Sequence, residues 1–74
     1  MTPDDLNRVS SVRRLAVCGA ARARRIEQRI TLREMAAVLN VQPSTLSRWE
    51  TGRQTPRGPV ALKWSQLLSE QAAA

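Results

Sequence analysis

The chain has 74 residues, a formal net charge of +6, one cysteine and no histidine. That length suits one small domain with a limited core, Cys18 alone excludes an internal disulfide, and a zinc site lacks ligands. Twelve basic residues against six acidic ones point to a polyanionic partner, either nucleic acid or an anionic membrane surface.

The chain opens on a helix start. Thr2 is placed as N-cap, Pro3 at the first helical position, and Asp4 and Asp5 in the first turn, where acids favour the helix dipole. Leu6, Val9, Val12 and Ala16 then share one face, and the helix is expected to break near Cys18-Gly19. A second helix is predicted over 20–28, with Ala23 and Ile26 as its inward positions. Thr31 caps a third helix, and Glu34 three residues later completes a capping box. The inward residues of that helix are Leu32, Met35, Ala36 and Leu39. Asn40-Val41-Gln42 reads as a turn, because Asn tolerates a left-handed backbone at a helix C-terminus. Pro43 starts a fourth helix that Gly52 ends, and 53–59 is a loop rich in Gly and Pro. Pro59 starts the last helix, with Val60, Ala61, Trp64, Leu67 and Leu68 as its apolar stripe. The alanines at 72–74 are expected to fray. Strand signals are absent, so the predicted class is all-α.

The predicted helix 43–51 has two unlike faces. Leu46 and Trp49, three apart, form a buried side. Ser44, Ser47, Arg48 and Thr51 follow the i, i+3, i+4, i+7 rule on the opposite side. A helix that enters the DNA major groove needs short side chains there for close approach and a few long ones to reach base edges. Ser44, Thr45 and Ser47 meet the first need, and Gln42 and Arg48 the second. Arg53, Gln54, Thr55 and Arg57 follow, cationic or hydrogen-bonding as a backbone clamp would be.

The basic residues are unevenly spread and mostly of one kind. Eleven of the twelve are arginine, whose planar fork suits phosphate and guanine edges. Between Arg8 and Arg33 the sole acid is Glu27. A membrane partner is disfavoured, since no long apolar run exists and alanine, rather than Trp, Phe or Leu, lies between the arginines. A cytoplasmic protein is the expectation. Trp49 and Trp64 read as packing residues, and Cys18 as a small, inert one. An enzyme is rejected, for want of histidine, a carboxylate pair at useful spacing or a glycine-rich phosphate loop.

The run TLREMAAVLNV followed by STLSRWETGRQTP resembles the Cro/C1-type (xenobiotic-response-element) helix-turn-helix family of phage and bacterial regulators. The likeness spans about residues 17–70. It implies a five-helix, lambda-repressor-like domain whose family members read the major groove with their third helix and commonly bind DNA as dimers. Residues 17–71 would form that domain, 1–16 an N-terminal helical extension, and 72–74 a tail. By the same resemblance, bases are contacted from Gln42, Ser44, Ser47 and Arg48, and Arg53 grips phosphate. Thr31, Arg33, Gln54, Thr55 and Arg57 join the expected backbone contacts. Arg25 and Glu50 match a buried ion pair. Three positions depart from the family pattern: Leu32 replaces a frequent Gln, Arg29 a usual Gly, and Gln42 a usual Ser cap.

The function expected from all this is a sequence-specific regulator of transcription, most simply a repressor. So short a chain leaves no room for an effector domain, so it would act by occupying an operator. The partner is double-stranded DNA, a homodimer is expected at least on DNA, and neither cofactor nor metal is called for. The rival reading is a protein-interaction module, such as an antitoxin or antirepressor.

Overall fold

The computed structural model describes residues 1–72, which form five helices and no strand. These are α1 (Pro3–Val17), α2 (Ala20–Glu27), α3 (Leu32–Leu39), α4 (Pro43–Glu50) and α5 (Gly58–Ala72). Ala72 closes α5, and the fraying expected beyond it lies outside the described residues.

Local chemistry sets the helix ends. In α1, the Asp5 N–H donates to Thr2 Oγ1 and the Thr2 N–H to Asp5 Oδ2, each at 3.1 Å. In α3, the Glu34 N–H donates to Thr31 Oγ1 at 3.1 Å and the Thr31 N–H to Glu34 Oε1 at 2.8 Å. Both capping boxes therefore form as the residue spacing requires. The bonds from the Thr2 and Thr31 backbones hold the Asp5 and Glu34 carboxyls below their ordinary pKa values. A depressed carboxylate lends stability above its unfolded pKa, about 4, and that stability is lost as pH falls through the lower folded value. Asp5→Asn and Glu34→Gln should accordingly flatten the acid limb of a stability–pH profile and leave its shape above pH ~6 unchanged. A steep limb retained in the double variant would rule this out.

Between α1 and α2, Gly19 adopts a left-handed φ of 85°, a region open to glycine without strain. Arg29 adopts φ 58°, so the turn before α3 keeps the left-handed geometry that a glycine would supply. Its N–H donates to the Ile26 carbonyl at 2.9 Å. Asn40 ends α3 at φ 57°, ψ 43°, the left-handed cap expected of that residue type.

The core gathers Val9, Val12 and Ala16 of α1, Ala21 of α2, Met35, Ala36 and Leu39 of α3, Leu46 and Trp49 of α4, and Ala61, Trp64 and Leu68 of α5. Leu32, Val60 and Leu67 pack around it, partly buried. Helix α1 packs chiefly on α5, and also touches α2 and α4.

Two expected faces are corrected. Leu6 is 57% exposed, because the inward line of α1 runs through positions 9, 12 and 16. At 3.6 residues per turn Leu6 falls roughly 90° round from that line. On α2 the inward residues are Ala21 and Arg25, whereas Ala23 is exposed and Ile26 is 48% exposed. Apolar periodicity misplaced this face because one of its two buried residues is a charged one. Arg25 turns inward to meet Glu50, and Ile26, the next residue, lies about 100° round the helix on an exposed flank.

Candidate nucleic-acid interface

Helix α4 begins at Pro43, whose fixed φ and missing N–H cost nothing at a first helical position. Gln42 stands at its N-cap without a side-chain bond to the helix, so its amide is free of any capping duty. At the other end the Thr51 hydroxyl donates to the Ser47 and Arg48 carbonyls at 3.0 and 3.2 Å. Gly52 then turns the chain at φ 76°.

Leu46, Trp49 and Glu50 are buried beneath α4, and the helix shows its other side to solvent. Ser44 and Arg48 lie at the centre of that outer face, both exposed, with Thr45 and Ser47 half-buried on its flanks. Gln42 is exposed where the chain enters the helix. The five expected base-reading residues thus share one surface, short side chains surrounding one long cation. Thr51, also on that face in the sequence pattern, spends its hydroxyl on the helix terminus.

The expected clamp residues lie before and after α4 in the chain. Thr31 and Arg33 are exposed at the start of α3, and Arg53, Gln54, Thr55 and Arg57 are exposed after α4. The Arg53 and Gln54 N–H groups both donate to the Arg48 carbonyl, at 2.9 and 3.3 Å. These bonds tie the loop to the end of the helix that carries Arg48.

A buried ion pair supports α4 from behind. Arg25 Nε donates to Glu50 Oε2 at 2.7 Å and Arg25 Nη2 to Glu50 Oε1 at 3.1 Å, a bidentate fork. Arg25 Nη1 donates to the Ile30 carbonyl at 2.9 Å. The two side chains are 10% and 3% exposed. The Trp49 ring lies against Trp64, centroids 5.7 Å apart and planes tilted by 41°. Both contacts fix the rotation of α4 about its own axis, and so the direction in which Ser44 and Arg48 point.

Sequence reasoning overlooked Arg13. Its Nε and Nη2 donate to the Pro56 carbonyl at 3.2 and 2.9 Å. No local pattern signals a bond that spans 43 residues. Among the described residues no three or more His, Cys, Asp or Glu side chains gather as a metal site, and no helix is long and apolar enough to cross a membrane.

A helix, a left-handed turn and a second helix with a polar outer face, seated on a shared core, define a helix-turn-helix. The helix-turn-helix family model matches residues 22–71. The chain belongs to the Cro/C1-type helix-turn-helix family, a family of DNA-binding regulatory domains. The match takes in α3, α4 and the Arg25–Glu50 pair, and leaves α1 outside. No curated protein and no solved structure matches the chain.

Proposed function

We propose that this protein is a sequence-specific regulator of transcription that occupies an operator in double-stranded DNA, and that it acts as a repressor. The observation that carries this reading is the outer face of α4, where Arg48 stands among short polar side chains above a helix fixed from behind. In this reading Gln42, Ser44, Thr45, Ser47 and Arg48 meet base edges in the major groove. Thr31, Arg33, Arg53, Gln54, Thr55 and Arg57 hold the phosphates. Two copies bind one operator, each reading a half-site, in the cytoplasm where the nucleoid lies.

Salt and two substitutions test it. If roughly four to six phosphates are neutralised per subunit, log affinity falls with log salt at about −0.9 for each. Arg48→Ala should cost about 1–3 kcal/mol on a selected site and relax preference at one base pair. Arg53→Ala should instead weaken selected and random duplexes alike and make the salt slope shallower by about one. Sites drawn from a random duplex pool supply the probe. A flat salt response between about 50 and 300 mM would dispose of DNA binding. Equal losses on selected and random DNA for Arg48→Ala would show that this helix face does not read bases.

A further inference from the structure

The segment 51–57 joins α4 to α5 and carries most of the proposed clamp. Within it Pro56 is fully buried, whereas its neighbours Thr55 and Arg57 are exposed. Three anchors fix its path. At the start, Arg53 and Gln54 hang from the Arg48 carbonyl. Close by, the last turn of α1 lies against Gly52, near enough that a Cβ there would sit 3.7 Å from the Val17 Cα. At the far end, the half-buried Arg13 guanidinium grips the Pro56 carbonyl with two donors.

That carbonyl belongs to the peptide that leads into Arg57. Fixing it fixes the direction in which the chain enters Arg57, whose own carbonyl accepts the Ala61 N–H at 2.8 Å in the first turn of α5. Among the described residues, no other side chain outside segment 51–57 bonds to its backbone. A guanidinium suits the task because its planar fork places two N–H groups on one acceptor and leaves further donors over. Held this way, the segment need not be ordered when a duplex arrives, and ordering costs that would otherwise reduce affinity are avoided.

We propose that Arg13 is a positioning residue for the clamp: anchored on the Pro56 carbonyl, it sets where Arg53 and Arg57 meet phosphate. The proposal rests on the DNA-binding reading above. It gives α1, which lies outside the residues the family model matches, a part in binding as well as in packing.

The test compares Arg13→Ala, Arg13→Lys and Arg14→Ala. Arg14 is the adjacent, exposed arginine and forms no hydrogen bond to the segment, so its loss removes the same charge without an anchor. In DNA-free protein, Arg13→Ala should speed amide exchange at Arg53 and Gln54 by about tenfold, through local opening of the segment. It should weaken binding to selected and random duplexes alike by about three- to tenfold and make the salt slope shallower. Arg13→Lys keeps the charge but not the fork, and should keep most of the rise in exchange. Arg14→Ala should leave exchange at wild-type rates. Wild-type exchange in Arg13→Ala, full recovery in Arg13→Lys, or identical binding losses in Arg13→Ala and Arg14→Ala would each overturn the proposal while DNA binding stands. A wild-type chain that retains no duplex, even with exchange responding as described, would overturn the DNA-binding reading and the clamp role with it.

Discussion

Arg25→Ala or Glu50→Ala, made singly, is expected to cost about 3–5 kcal/mol of folding stability, as breaking a buried ion pair typically does. Small domains have only about 5–15 kcal/mol in all, so either variant should be largely unfolded in mild denaturant. The cost comes mostly from the partner left behind. Arg25→Ala strands a carboxylate that is 3% exposed and also removes the donor to the Ile30 carbonyl, so it should be the more damaging. Glu50→Ala leaves the guanidinium one of its acceptors, at Ile30. Replacing both with apolar residues of similar volume, Arg25→Met with Glu50→Leu, should recover most of the loss, because no uncompensated charge remains. Urea unfolding of the two alanine variants and their double mutant measures the coupling. A value near zero would mean that the pair is solvated rather than buried.

Trp64→Ala carries the second large expectation, again about 3–5 kcal/mol. Trp64 is fully buried, and its ring is the surface of α5 on which Trp49 rests. Truncation would leave a cavity at the point where α4 seats, and a small core has little means to collapse around it. Trp64→Phe should behave very differently. The Trp64 Nε1 group is buried with no acceptor among the described residues, and an unmade buried hydrogen bond is itself costly, by about 1–3 kcal/mol. Phenylalanine gives up some apolar area but removes that donor, so a net change under about 1.5 kcal/mol is expected. Thermal unfolding followed by circular dichroism distinguishes the two, and equal losses would mean that the indole N–H has an acceptor after all.

The parts of this fold most legible in the sequence are those fixed by local chemistry. Thr2 with Asp5 and Thr31 with Glu34 announce two helix starts, and Pro43, Asn40 and Gly52 mark ends and turns by backbone geometry alone. The outer face of α4 was legible for the same reason, since Leu46 and Trp49 define its back. Periodicity failed where burial was not apolar. Arg25 shares the inward face of α2 with Ala21, whereas hydrophobicity alone assigns that face to Ala23 and Ile26. Resemblance to a family supplied the Arg25–Glu50 pairing that periodicity contradicted. Leu6 misled in a smaller way, as an apolar residue at the edge of a stripe that continues without it. The bond from Arg13 to Pro56 depends on how α1 crosses the loop after α4, and no local sequence signal encodes a crossing.

The two-faced construction of α4 bears on how such a protein changes over generations. Its seating depends on Leu46, Trp49 and Glu50, and its ends on Pro43 and Gly52. The side chains of Ser44 and Arg48 take part in none of this. If α4 reads bases as proposed above, drift at the outward positions alters which DNA word is preferred while folding stability stays nearly level, whereas drift at the inward ones first costs stability. The reading surface can be rewritten in single steps, each leaving a folded protein. Under that proposed reading, a duplicated copy could acquire a separate operator without passing through an unstable intermediate.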